Sequence, residues 1–218
     1  MFEAQNGNVF DFRLHRVPFL LEPRYMDEDD DFTEPHNTRM VRKFGSMERF
    51  EQVKKSHGLI PRGREAGLDE SVGFTQKQLD KRVQSCTINS HRLVLYVSQF
   101  GLDKSEKLYS VLNRKHFIEA GILNDKKLLL ESLKETGLTE EELQLSIDFL
   151  KDESRGKQEV LQMYEKVQTM GIYSIPTLVV DGTYIVNGAA RADEVLQVFN
   201  KLLKEQPSEK RTFDQQIR

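Results

Sequence analysis

At 218 residues the chain is long enough for one domain, or one domain carrying an insertion, around a real hydrophobic core. Hydrophobic residues make up 38% and charged residues 31%, and 32 basic against 35 acidic side chains leave a formal charge of -3, so the composition argues against disorder and gives no field that would recruit nucleic acid or an anionic membrane. The single cysteine, Cys86, rules out an internal disulfide, a dithiol redox pair and a thiolate metal cage within one chain.

No segment approaches the roughly 20 apolar residues that span a bilayer. Met1 to Arg16 carries Glu3, Asp11, Arg13 and Arg16 in place of a basic region followed by an apolar run, so no signal peptide is expected and the reducing cytoplasm is the default compartment.

The first element predicted is a strand, or two short ones, over Val9 to Leu21, where Phe10 and Phe12 alternate around Asp11 and Val17-Pro18-Phe19-Leu20-Leu21 follows. Pro18 lacks an N–H and belongs at an edge or strand end, and Glu22-Pro23 stops the run. Asp27 to Asp31, five acids in succession, reads as a solvated loop rather than a cation site, because no turn residue spaces the carboxylates.

From about Asn37 to Met170 the pattern is helical. Thr38 is placed to cap a helix holding Met40, Val41 and Phe44 that breaks at Gly45; Ser46 caps a second with Met47, Phe50 and Val53, ending at Gly58. Ile60 to Phe74, with Gly63, Gly67 and Gly73, reads as a loop. Thr87 opens a helix with Ile88, His91, Leu95 and Ser98 on one face, ending at Gly101. Further helices hold Leu108, Val111 and Leu112, then Leu129, Leu130 and Leu133, then Leu143, Ile147 and Leu150 behind the capping box of Thr139-Glu140-Glu141-Glu142.

The end of the chain changes character. A helix through Val160, Tyr164 and Val167 closes at Gly171; then Thr177-Leu178-Val179-Val180, Asp181-Gly182 and Thr183-Tyr184-Ile185-Val186 spell a β-hairpin with a two-residue turn of positive φ. Asn187-Gly188 leads to an amphipathic helix with Val195, Val198, Phe199 and Leu202, and residues 206–218 form a polar tail.

Val17-Pro18-Phe19-Leu20-Leu21-Glu22-Pro23, Arg42-Lys43-Phe44-Gly45-Ser46, Cys86-Thr87-Ile88-Asn89-Ser90-His91-Arg92-Leu93 and Gly171-Ile172-Tyr173-Ser174-Ile175-Pro176-Thr177 through Asn187-Gly188-Ala189 resemble the DsbA-like thioredoxin family. The resemblance is to its FrnE-like subgroup, beside the 2-hydroxychromene-2-carboxylate isomerases and kappa-class glutathione transferases. It implies an α/β thioredoxin fold over residues 9–205, with a helical lid inserted at about 37–155. It also implies a thiol–disulfide oxidoreductase whose site has two halves: a Cys-x-x-Cys, or a Ser in the isomerase and transferase branches, at a helix N-terminus, and a cis-proline loop that receives the substrate as an added strand.

Only the second half is present. The first β-α unit and its dithiol would precede Val17, where about sixteen residues stand and none is Cys. Three explanations are open: the unit is encoded upstream of Met1, Asn8 to Arg13 folds back as a surrogate strand in a non-redox relative, or a partner chain donates the strand. The candidate ligand-binding residues are Ile175, Pro176, Thr177, His91, Asn187 and Gly188. An X-Pro bond is cis in about one case in twenty, but the Gly-x-x-x-Ile-Pro-Thr context predicts cis at Pro176. Cys86 stands where the family usually has Asn; it reads as a small buried hydrophobe or, at a helix start, as a reactive thiol able to form a mixed disulfide. His91 reads as a packed histidine ahead of a catalytic base, since no nucleophile can be named for it. His15, His36, His57 and His116 lack paired spacing, so no metal site is expected. Three functions follow: a thiol–disulfide oxidoreductase if the gene product is longer, a module that holds an extended peptide or a small thiol such as glutathione without turnover, and a glutathione-transferase or isomerase-like enzyme. A homodimer is an open option.

Overall fold

Helices are set by caps and glycines that act locally. In the computed structural model, which describes residues 13–205 apart from 30 and 66, ten helices and two short antiparallel ribbons follow one another in a mixed α/β arrangement. The chain divides into two compact units, residues 22–160 and residues 1–21 with 161–218.

In the first of these, β1 (Thr33–Pro35) pairs with β2 (Val83–Ser85), with Thr33 opposite Ser85 and Pro35 opposite Val83. Between them lie α1 (His36–Phe44), α2 (Met47–His57), α3 (Leu59–Glu65) and α4 (Gln76–Asp80). Gly45 ends α1 in the left-handed region at φ 84°, and the Ser46 side chain accepts from the Arg49 N–H to start α2. After β2 come α5 (Ile88–Val97), α6 (Leu102–Phe117), α7 (Lys126–Leu133) and α8 (Glu140–Lys151), the last opened by the Thr139–Glu142 capping box in both directions. These four helices enclose the core: Leu93 and Val97, Leu108 and Leu112, Leu129 and Leu133, Phe149 and Leu150. Full burial of each such side chain contributes about 1.5–3 kcal/mol.

The second unit holds the irregular segment at residues 13–21, the later turns of α9 (Lys157–Thr169), the hairpin β3 (Thr177–Val180) and β4 (Tyr184–Asn187), and α10 (Ala192–Lys204). Phe19 meets the Tyr164 ring edge-on at 5.9 Å, and Leu20 is buried.

Several expectations are corrected. Arg13 to Leu21 is irregular and joins no ladder among the described residues, and Leu14 and Leu21 are exposed; Val9 to Phe12 lies outside the described residues. Pro18 removes a donor, and β3 and β4 pair only with each other among the described residues. The described strands form two separate two-stranded sheets. Helix α1 begins at His36 behind Pro35, ahead of Thr38. The stretch after Ile60 contains α3 and a single turn at Glu70–Val72, because Gly63 lies inside a helix against Phe74 and does not break it. The hairpin loop has three residues: Val180 pairs with Tyr184, and Asp181 (φ 51°) and Gly182 (φ 65°) make the positive-φ corner. Of the expected face of α5 Ile88 is buried, but the rest of the buried set is Ser90, Arg92, Leu93, Val94 and Val97, which leaves His91 and Leu95 half-buried and Ser98 exposed.

Candidate functional site

The site is built from the end of α9. Gly171, at φ 77°, donates its N–H to the Gln168 carbonyl at 2.9 Å, and the Ile172 N–H reaches the Val167 carbonyl at 3.2 Å, the crossed pair of bonds that ends a helix sharply. Ile172 is buried as the apolar partner of that stop. The chain then turns outward, leaving Tyr173 73% and Ile175 49% exposed.

The Ile175–Pro176 peptide is cis. The Thr177 hydroxyl lies 2.8 Å from the Ser174 carbonyl and 3.2 Å from Asn187 Oδ1, so its one proton is shared between two acceptors that brace the loop. The Gly188 N–H donates to the Pro176 carbonyl at 2.8 Å, directly beyond the Thr177–Asn187 pair of the ladder. Ile175, Pro176, Thr177, Asn187 and Gly188 are therefore brought together at one end of the hairpin. The Gly188 N–H is committed to Pro176, and the Arg191 N–H donates to the Glu194 carboxylate at 2.8 Å. Both donors are thus occupied within the chain.

At the other end of the hairpin the Tyr184 hydroxyl donates to the Glu205 carboxylate at 2.6 Å, which raises its pKa, and Lys201 Nζ lies 4.8 Å from the Tyr184 ring centroid. These contacts hold the last turns of α10 to the strand face that carries Tyr184. Thr177, Val179, Ile185 and Asn187 occupy the opposite face, where Ile185 is exposed.

Cys86 and His91 belong to the unit of residues 22–160. Cys86 is a half-buried free thiol two residues before α5, and His91 is half-buried in the first turn of that helix. Among the described residues no cluster of His, Cys, Asp or Glu is arranged for a metal ion, and no described helix is long and apolar enough to cross a membrane.

Two polar constellations in the same unit escape a reading of the sequence. Glu34 accepts from Arg42 at 2.8 Å, from Arg24 at 3.1 Å and from the Tyr25 hydroxyl. Arg42 is the main reason its carboxyl falls to about 2, while burial and then Glu34 push Tyr25 up to about 12. Arg92, 1% exposed, donates to the carbonyls of Phe149, Asp152 and Arg155 and to Asn89 Oδ1. Only Arg92 and Asn89 are near neighbours in sequence; the other pairs lie eight or more residues apart or involve carbonyls, which have no sequence signature.

No protein-family model matches the chain, and no curated protein matches it significantly.

Proposed function

We propose that the chain is a DsbA-like, thioredoxin-related protein of the reducing cytoplasm whose hairpin unit receives an extended peptide, or a small thiol such as glutathione, without dithiol turnover. The observation that carries this reading is Ile175, half-exposed and outside the ladder directly before β3, in a loop braced by the Gly188–Pro176 and Thr177–Asn187 bonds. In that position the Ile175 backbone can exchange N–H and carbonyl bonds with a ligand lying alongside it, each worth on the order of 1 kcal/mol net. The Tyr173 and Ile175 side chains add apolar contact on either side of Ser174.

Dithiol exchange needs a second thiol to resolve the mixed disulfide, and Cys86 is the only cysteine. The 218-residue protein is therefore expected to show no insulin-reducing activity, and catalytic turnover there would refute the non-redox part of this reading. Binding is tested by titrating the protein with extended cysteine-containing peptides and with glutathione. Ile175→Asp should weaken the productive ligand about tenfold, by removing apolar contact and adding a solvated charge beside the added strand; unchanged affinity would refute the edge as the site.

A further inference from the structure

The corner where β1 becomes α1 carries buried polar groups that the hairpin site does not use. Pairing of the first ribbon runs one residue past its ladder, because the His36 N–H donates to the Arg82 carbonyl at 2.9 Å. On a ribbon of period two, Glu34, His36, Gln84 and Arg82 face the same way. Arg82 is only 4% exposed. Its Nε donates to the Leu79 carbonyl at 3.0 Å, its guanidinium carbon sits 4.8 Å from the Phe117 ring centroid, and Nη2 lies 3.4 Å from His36 Nε2. Among the described residues no carboxylate forms an ion pair with it. Asp80, whose charge acts on it, accepts from Lys54 and Gln76 instead.

This geometry dictates the state of His36. A guanidinium has no lone pair to offer, so His36 Nε2 must accept, which requires a neutral ring carrying its proton on Nδ1. That Nδ1 is buried without a partner, as are Asn37 Oδ1 in the next position and Gln84 Nε2 on the facing strand. The ring edge packs on Phe50 at 5.9 Å. The charged groups around it are Arg82 ahead of β2, Arg39 on α1, Lys54 on α2, Asp80 at the end of α4 and His116 on α6; the last is buried, with Nδ1 on the Gly121 carbonyl. Arg39 is paired with Glu22, and Glu34 with Arg24 and Arg42, so Arg82 is the cation that meets the ring without an ion pair of its own among the described residues.

We propose that His36 and Arg82 form an acid-sensitive joint: protonating His36 destroys the lone pair to which Arg82 donates, sets two cations side by side in a buried corner, and releases the start of α1 from the start of β2. Burial first and Arg82 second hold His36 down to about 4, against 6.5 for the free side chain. An opened joint binds the proton more tightly than the closed one, so its stability falls as pH drops from about 6.5 towards 4.

Hydrogen exchange of the full chain, corrected for intrinsic rates, is the test. Amides of 36–44 and 83–85 should lose protection on the order of a hundredfold between pH 7 and pH 4, while those of the Leu108–Leu112 core do not. His36→Gln, which keeps a neutral acceptor for Arg82, should flatten the step, and His116→Gln should retain it. No step in the wild type, an equal step in His36→Gln, or its loss in His116→Gln would overturn the proposal. Should His36→Gln fail to fold, the NMR titration of His36 in the wild type decides: a midpoint below about 5 supports the joint and a higher one overturns it.

Discussion

Gly63 shows how a residue without a side chain can be specified by packing. It sits in the interior of α3, where glycine ordinarily costs about 1 kcal/mol relative to alanine, yet a Cβ built there would come within 2.1 Å of Phe74 Cε1. Phe74 is itself buried, so its ring cannot swing into solvent. Gly63→Ala is therefore expected to destabilise the protein by about 2 kcal/mol through overpacking despite the gain in helix propensity, measured as a lower midpoint in urea unfolding. Equal or greater stability would mean that the Phe74 ring does not seat on Gly63. Glu34 follows a different logic. Its carboxyl is held at about 2 chiefly by Arg42, below its ordinary 4.5, so the stability it confers is complete above about 4.5 and is lost as pH falls towards 2. Glu34→Gln should cost about 1 kcal/mol at neutral pH once solvent screening of half-exposed Arg42 is allowed for, and should reduce the acid sensitivity of unfolding below pH 4.5. A cost that persists unchanged at pH 2 would show that the charge is irrelevant.

Elements whose limits are set within four residues are the ones a reading of the sequence recovers. The Ser46 cap, the Thr139–Glu142 box, the stop at Gly45 and the Asp181-Gly182 corner each depend on neighbouring side chains and one backbone conformation. The ribbon of β1 with β2 is invisible in the same reading, because three-residue strands 50 positions apart carry no periodicity and Pro35 advertises a break. The proline loop is legible through its Ile-Pro-Thr setting before a hairpin, whereas the commitment of the Gly188 N–H to the Pro176 carbonyl depends on a register that composition does not encode. Arg92 belongs to the unreadable class. Its guanidinium lies at the C-terminal end of α8, where the last carbonyls lack helical partners and the dipole favours a cation, and its central carbon sits 5.1 Å from the Phe149 ring centroid. Arg92→Met, similar in length and apolar, would leave the buried Phe149 carbonyl unbonded and hand the Asp152 and Arg155 carbonyls to water, at a cost of about 2 kcal/mol. Loss of helix α8 protection in hydrogen exchange should accompany the drop; an unchanged unfolding midpoint would show that water replaces the guanidinium.

At the scale of the molecule the two units differ in how much apolar surface they bury within themselves. The helices of residues 22–160 hide Leu93, Val97, Leu108, Leu129 and Leu133 almost completely. In the other unit no residue of β3, β4 or α10 reaches full burial, although Leu178, Val179, Val180, Val195, Val198 and Leu202 are all apolar. A two-stranded hairpin is marginal by itself in water, and half-buried side chains return only part of the 1.5–3 kcal/mol that full burial gives, set against an ordering cost of about 1–2 kcal/mol per residue. The hairpin unit should thus open more readily than the helical one, which suits a site that must admit an extended ligand along Ile175. Amides of β3, β4 and α10 are expected to exchange at least a hundredfold faster, relative to intrinsic rates, than those of α5 to α8. A saturating peptide that binds at Pro176 should slow β3 and β4 towards the rate of the helices and leave the helices unchanged. Uniform protection across both units without ligand would show that the hairpin is held as firmly as the core, and slowing confined to α5 to α8 would move the binding site away from Pro176.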